Sequence, residues 1–425
     1  MTDERYGLTW PGKRDAVRSV DTPSRQVLVP DRERSVAFDT AENVVVEGDN
    51  LEALKLLQAT YAARVKLVYI DPPYNTGGDE FVYPDDFAEP LRAYLERTGQ
   101  SRAPGDTATS HLDQAGRRHS RWLSMMYPRL ALARTLLRPD GALCVSIDAN
   151  EDFNLRALLD EIFGPANFVA QLVVVRAEGG GLAEQVVQGH DLLLVYARDR
   201  AQFTPLRRPK AFRGRLVEHE GAEHWVEEDW LRKEFGAYGT CHYEEILEVK
   251  GRATLEEVDA RLATGQYQLR RMRNGMHVVG RLRPTATDGS KFYSVVKHLS
   301  RDGKRRLGEL GLAGVFEFPK PVSLVQSLVL GATFGTAEAG DVILDFFAGS
   351  GTTADAVLQQ NAADGGNRRF VLVTYPEPIS ERSVAGRAGF ATIAEVTLAR
   401  VRAAMAEVDG GERHGLRVYS LRPIA

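Results

Sequence analysis

At 425 residues, 43% hydrophobic and 26% charged, the chain has an ordinary globular composition and enough length for two or three domains around a large core. No apolar stretch approaches the ~18 uninterrupted residues of a membrane span, and residues 1–20 lack a hydrophobic signal core, so a cytoplasmic protein with no membrane partner is expected. Two cysteines, Cys144 and Cys241, are too few for a disulfide framework or a structural zinc site, and no metal is expected; the net charge of -4 argues, on average, against a partner as acidic as DNA.

In chain order, residues 1–41 read as an N-terminal extension. The segment VVVEGDNLEALKLLQATYAARVKLVYIDPP then gives a strand, a helix with Leu51, Leu54, Leu56 and Leu57 at helical spacing, and a second strand over 65–70. Beyond a loop rich in Gly and Asp, RWLSMMYPRLALARTLLRPDGALCVSIDANEDFNLRALLDEIFG predicts a helix, a turn at Pro139-Asp140-Gly141, a strand over 142–147 and a helix ending near Gly164. Alternating helix and strand predicts an α/β protein with a parallel sheet.

That rhythm fades in the middle of the chain, and residues 201–311 are expected to be an insertion, leaving 42–200 and 312–425 as the two parts of one sheet-based domain. Within 261–310 about twelve Lys and Arg face about three acids, a local excess that suits phosphate contact or, equally, a solvated basic face. Arg270, Arg271, Arg273, Arg281, Arg283, Lys291 and Lys297 are the candidate DNA contacts. Trp225, Trp230, Tyr238, Tyr243 and Tyr267 suit either base contact or the core of a small domain. The α/β pattern resumes with GDVILDFFAGSGTTADAVLQQN, which reads as strand, glycine turn and helix, and a strand over 370–373 follows.

Glycines at 349 and 351 permit a tight strand-to-helix turn and close approach of a ligand to backbone. A bare G-x-G serves as well for packing. Here an acid ends the preceding strand and Glu377 lies about 26 residues on, like the ribose-binding acid of a dinucleotide fold; Ala354 stands at the tolerated third position, so NAD binding stays open on this motif alone.

Asp71-Pro72-Pro73-Tyr74 points elsewhere. The exocyclic amine of a nucleobase is a poor nucleophile because its lone pair is delocalised into the ring. A carboxylate and a neighbouring carbonyl that accept its two hydrogens localise that pair and aim it. Proline fixes φ and carries no N–H, which holds such a carbonyl in place, and the Tyr74 ring can stack on a base rotated out of a duplex.

Together these motifs resemble the amino-group DNA methyltransferases that use S-adenosylmethionine. The catalytic motif comes first and the F-x-G-x-G loop last, the permuted order called the beta class. EGDNLEALKLL, YIDPPYNTG, DEFVYPDDF, PRLALARTLLRPDGALCVSIDANE and LDFFAGSGTT are similar to the modification subunits of type III restriction-modification systems. The resemblance covers roughly 42–200 and 312–380, and implies a Rossmann-like methyltransferase sheet with an inserted target-recognition domain.

It implies a catalytic motif at Asp71, Pro72, Pro73 and Tyr74, with Asp71 and the Pro72 carbonyl as amine acceptors. The loop Phe347, Ala348, Gly349, Ser350, Gly351 and Thr352 would hold the cofactor, with Phe347, Gly349 and Gly351 along its methionine part and Asp345 orienting loop or cofactor amine. Glu377 is the candidate for the ribose hydroxyls, Asp49 for the cofactor adenine, and Lys320 with Ser323 for the segment closing over methionine; a helix-capping acid and a surface lysine are the plain alternatives for Asp49 and Lys320. Ala149, between Asp148 and Asn150, replaces a second aspartate that the family more often has, and no catalytic role is assigned there.

The implied reaction is methyl transfer to adenine N6 in duplex DNA. Cytosine N4 is the alternative, disfavoured because cytosine enzymes of the family more often begin the motif with Ser; a non-catalytic DNA-recognition subunit is the alternative of another class. The implied partners are double-stranded DNA, a separate restriction subunit and a second copy of the chain. No G-x-x-x-x-G-K-S/T loop or nuclease signature is present, so this chain is not expected to cut DNA.

Overall fold

The computed structural model describes residues 7–76, 111–179, 186–233, 239–337, 339–409 and 415–424. The DEFVYPDDF stretch and Tyr238 lie outside them. The chain divides into two units, one of residues 1–206 with 293–425 and one of residues 207–292. Residues 293–311, counted with the insertion in the sequence, fold with the first unit.

The first unit runs α1 (Lys13–Asp21), β1 (Gln26–Pro30), β2 (Asn43–Glu47), α2 (Asn50–Tyr61), β3 (Val65–Ile70), α3 (His111–Leu136), β4 (Leu137–Ile147), α4 (Asp152–Phe163), β5 (Phe168–Val175) and β6 (His190–Ala197). The second holds β7 (Arg207–Arg208), β8 (Leu216–His219), β9 (Ala222–Glu227), α5 (Ile246–Val249), α6 (Arg252–Ala263), β10 (Tyr267–Arg271), β11 (His277–Pro284) and β12 (Ser290–Lys291). The first then resumes with β13 (Val295–Lys297), α7 (Ser300–Glu309), α8 (Val322–Ala332), β14 (Val342–Asp345), α9 (Thr352–Asp364), β15 (Arg369–Thr374), α10 (Val384–Arg387), α11 (Ile393–Asp409) and β16 (Leu416–Pro423).

Ten strands of the first unit form one sheet in the order β1-β16-β2-β15-β14-β3-β4-β6-β5-β13. From β16 to β4 every pairing is parallel, which requires helical crossovers and burial of both faces. Accordingly β3 is buried at every position, with Lys66 inside it neutralised by Asp140 at 2.7 Å. Val342, Leu344, Val371 and Val373 pack with residues of α2, α3 and α4, while their strand neighbours Ile343, Phe370 and Leu372 are just as buried on the other side. Strand β4 starts at Leu137, so the turn expected at Pro139-Asp140-Gly141 is absorbed into an irregular strand.

The chain order places β14 beside β3, joining segments some 280 residues apart. From β14 the chain passes through α9 to β15 on one side; from β3 it passes through α3 to β4 on the other. Strand order therefore reverses between β14 and β3, and the chain leaves these two strands towards opposite sides, the topological position at which such sheets offer a ligand crevice. Both sequence motifs leave the sheet at that point.

The second unit is built on a four-stranded antiparallel sheet, β10-β11-β9-β8, and the short pair β12-β7 forms a separate two-stranded sheet. Leu231, Cys241, Ile246, Val258 and Val279 form its core.

Candidate active site

Asp71 follows the last residue of buried β3. About a quarter of its side chain (26%) stays accessible, but Oδ1 is buried and makes no aligned hydrogen bond. Its nearest cation is Lys320, whose Nζ lies 3.3 Å from Oδ1. Burial raises the Asp71 pKa above the ordinary carboxylate range, and Lys320 opposes that rise. Lys320 also donates to the Tyr74 hydroxyl, sits 4.7 Å from the centre of its ring and lies 3.2 Å from Asp191 Oδ2.

Trp122, fully buried on α3, donates to the Pro73 carbonyl at 2.7 Å and fixes the loop from behind. No donor among the described residues pairs with the Pro72 carbonyl. One residue beyond Tyr74, Asn75 adopts φ +59°, a conformation a non-glycine residue needs help to hold. The help comes from Glu151, fully buried, which accepts from Asn75, from Asn154 at 2.7 Å and pairs with His119 Nδ1 at 2.6 Å.

Asp345 ends β14, the parallel neighbour of β3. It accepts from the Phe347 amide at 3.0 Å and the Thr353 hydroxyl at 2.5 Å, which folds the glycine loop back on the strand end. Burial pushes its pKa up to about 7. In the loop Gly349 has φ +49° and Gly351 φ +82°, and an added Cβ at either would meet a neighbour at 3.3 Å, the Phe316 ring or Thr397. Both glycines are therefore required by backbone shape.

Helix α11 anchors this turn. Fully buried Arg400 donates to Ser350 at 2.9 Å and Thr352 at 2.8 Å and pairs with buried Asp355 at 3.1 Å, while Thr397 donates to the Gly349 carbonyl. The hydroxyls of Ser350 and Thr352 are thus turned into the fold. Any ligand contact from these two residues must come mainly from backbone.

Asp49 caps α2, accepting from the Glu52 amide at 3.0 Å, and pairs with buried Arg129 at 3.3 Å. Next to it, Asn50 takes a hydrogen bond from Arg129 and donates to the Phe346 carbonyl at 2.7 Å, so EGDN and the glycine turn meet. Ser323 pairs with His298 at 2.9 Å, beside the Lys320 segment. Glu377 follows β15 and is half-buried; burial raises its pKa, and no partner for its carboxylate is found among the described residues.

The basic residues divide into two sets. In the second unit Arg270 is bound by Glu228, Arg281 by Glu227, and Arg283 by Asp288 at 2.7 Å. Lys297, in the first unit, pairs with Glu178 at 2.6 Å. Arg271, Arg273 and Lys291 are exposed and carry no ion pair among the described residues. The four candidate aromatics among the described residues are structural: Trp225 donates to Asp288 and Trp230 to the Val279 carbonyl at 2.9 Å, with its ring 5.1 Å from that of Tyr267, and Tyr243 packs on the same core. No cluster of three or more His, Cys, Asp or Glu suited to a metal ion occurs among the described residues. No helix among them is long and apolar enough to cross a membrane.

Sequence reasoning missed Trp122, Arg129, Glu151, Thr397 and Arg400. Glu151 closes the quoted SIDANE segment, yet nothing local distinguishes a buried acceptor there from a surface acid. Its donors Asn75 and His119 come from elsewhere in the chain.

A parallel sheet that brings a carboxylate-proline strand end beside a glycine turn at its switch point defines an α/β protein with a ligand crevice at that place. Residues 65–371 match the DNA methylase family N6_N4_Mtase, and the chain belongs to that family. It is 33% identical to the Mod subunit of the type III restriction-modification enzyme StyLTI of Salmonella typhimurium, across 95% of this chain and 63% of that one. It is 29% identical to the EcoPI Mod subunit of Escherichia phage P1, across 95% of this chain and 68% of the relative. The EcoP15I Mod subunit of Escherichia coli is also 29% identical, across 100% and 72%. The chain thus spans about two thirds of the length of these relatives. A solved PvuII DNA methyltransferase, cytosine-N4-specific, overlaps 87% of this chain and 95% of its own at 12% identity and a TM-score of 0.39.

Proposed function

We propose that this protein is an S-adenosylmethionine-dependent DNA methyltransferase that modifies adenine N6, and that it acts as the modification component of a restriction-modification system. The observation that carries the reading is the meeting of Asp71-Pro72-Pro73-Tyr74 and the glycine turn at the ends of adjacent parallel strands. One of these groups suits a planar amine and the other a nucleoside-bearing ligand.

The residues present fit S-adenosylmethionine. The positive-φ glycines let a ligand approach the backbone, Asp345 is a buried carboxyl beside the turn, and Glu377 at the end of β15 has carboxylate oxygens to offer ribose hydroxyls. Gly349, Gly351 and Phe347 would line the methionine part, with Lys320 and Ser323 across from them. Asp49 is engaged as a helix cap and with Arg129, so its support for an adenine ring would pass through the position of the Asn50 segment. Bound there, S-adenosylmethionine would supply a methyl group on a sulfonium, an electrophile at carbon.

The protein's own residues supply orientation and a proton acceptor. Asp71 Oδ1 and the Pro72 carbonyl accept the two hydrogens of the target amine, and both have free acceptor capacity. The Trp122 hydrogen bond to the next carbonyl along, that of Pro73, and the two prolines keep the Pro72 carbonyl from swinging. Tyr74 stacks on the base. As the amine nitrogen gains a carbon it sheds a proton, and Asp71, made more basic by burial, takes it.

Double-stranded DNA is the proposed substrate, with Arg271, Arg273 and Lys291 as phosphate contacts and the ion-paired Arg270, Arg281 and Arg283 holding the surface of that unit in shape; Lys297 is ion-paired within the first unit. A restriction subunit is the proposed partner, following the relatives' designation as Mod subunits of type III enzymes; association with a second copy is the further proposal for its assembly. The test is incubation with labelled S-adenosylmethionine and DNA lacking adenine methylation, then digestion. N6-methyladenine is expected; N4-methylcytosine would overturn the base assignment, and no incorporation would overturn the activity.

A further inference from the structure

Lys320 stands where a lysine is costly. It lies two residues before the N-terminus of α8, whose dipole disfavours a cation, and it is largely buried against the strand ends. Pro319 and Pro321 stiffen the backbone around it, and the segment is seated on α7 so closely that a Cβ on Gly303 would come within 2.1 Å of the Pro319 carbonyl. What holds the ammonium there is a set of three acceptors from two places in the fold: Asp71 and the Tyr74 hydroxyl on the loop after β3, and Asp191 in β6. Asp191 is in turn held by Arg176, 3.0 Å away at the end of β5.

We propose that Lys320 and Asp191 form a charge-setting pair for Asp71, in which the lysine keeps the acceptor carboxylate ionised and the second aspartate holds the lysine in reach. The inference rests on the reading of Asp71 as the amine acceptor. It gives Lys320 a positioning role on Asp71, beyond the proposed place beside the cofactor.

Of the other influences on Asp71, burial and the second anion Asp191 act against its ionisation, whereas the Tyr74 hydroxyl favours it. Asp345 ends the neighbouring strand, and Tyr69 on β3 is a buried phenol whose own pKa burial raises. His298, held by Ser323, lines the same small cavity as Lys320 and Asp191 and is driven towards its neutral form by burial. Arg176 reaches Asp191. Lys320 is therefore the cation that balances Asp71 directly. Two signs follow. Removing Lys320 favours protonated Asp71; removing Asp191 withdraws an anion and leaves the lysine to Asp71, which favours the carboxylate.

The test is carbon-13 NMR of the full chain labelled at aspartate carboxyls, without DNA or cofactor, with the Asp71 signal identified by its loss in Asp71→Asn. Lys320→Met is expected to raise the Asp71 midpoint by about one pH unit or more, the usual effect of an opposite charge within ~4 Å. Asp191→Asn is expected to lower it, and Lys320→Arg to leave it near the wild-type value. The acid limb of kcat at saturating cofactor should move in the same directions. If Lys320→Met does not fold, Lys320→Gln replaces it. An unchanged midpoint, or shifts of the same sign in the lysine and aspartate variants, overturns the proposal. Absence of methyl transfer by the wild-type protein would instead overturn the functional reading, since the midpoints are measured without it.

Discussion

Asp71 and Asp345 end neighbouring strands in the same crevice, yet their partners differ. Asp71 faces a lysine ammonium, whereas Asp345 is held by one hydroxyl and one backbone amide, and burial pushes it up to about 7. Its ordinary value is 3.8. Between about pH 4 and 7 the folded protein therefore keeps a proton that the unfolded chain has released, so this carboxyl's contribution to stability falls as pH rises through that window and is constant above it. Asp345→Asn abolishes the titration. Melting temperatures measured against pH should show the stability of wild type relative to the variant declining from about pH 4 to 7 and levelling off above; a constant difference would show an ordinary carboxyl.

Two helices position the site. On α3, His119, Trp122 and Arg129 sit at i, i+3 and i+10, one face of a helix, and hold the Glu151 cluster, the Pro73 carbonyl and the Asp49-Asn50 segment. On α11, Thr397 and Arg400 hold the glycine turn. Arg400→Met leaves Asp355 with Arg306 as its remaining cation and frees Ser350 and Thr352. Breaking a buried pair of this kind costs about 3 kcal/mol or more. Denaturant unfolding should show that loss, with weakened S-adenosylmethionine binding by calorimetry; a variant unchanged in both would mean that α11 does not anchor the glycine turn. These helices also show what the sequence conveys. Hydrophobic spacing predicts α2, β3, β15 and the strand of the glycine turn because those signals are local. A buried Arg or Trp looks like any other helical residue until its distant acceptor is placed beside it. The same holds for the arginines of 261–310: their density is legible, but their pairing with Glu227, Glu228 and Asp288 arises from strand registry and turns.

At the scale of the molecule, one sheet gathers both motifs at its switch point, and a separate unit carries most of the basic residues proposed to meet DNA. The sequence conveyed the sheet's interruption through the lost helix-strand rhythm. It did not convey that residues 293–311 return to the first unit, because β13 is a three-residue strand whose identity depends on pairing with β5. Replacing Arg271, Arg273 and Lys291 together with Ala should lower the salt dependence of DNA binding by about 0.9 in slope for each phosphate that is no longer neutralised. Replacing Arg270 and Arg283 should mainly lower stability, since each now neutralises an acid; equal salt slopes for the two variant sets would contradict that division. The central claim is that Asp71 receives the target amine while the glycine turn holds the cofactor. Single-turnover methyl transfer by Asp71→Ala, with S-adenosylmethionine affinity measured on the same sample, tests it most directly. A rate lower by about 10²–10⁴-fold with affinity near wild type is the predicted result; near-normal transfer, or loss of cofactor binding in step with rate, would contradict it.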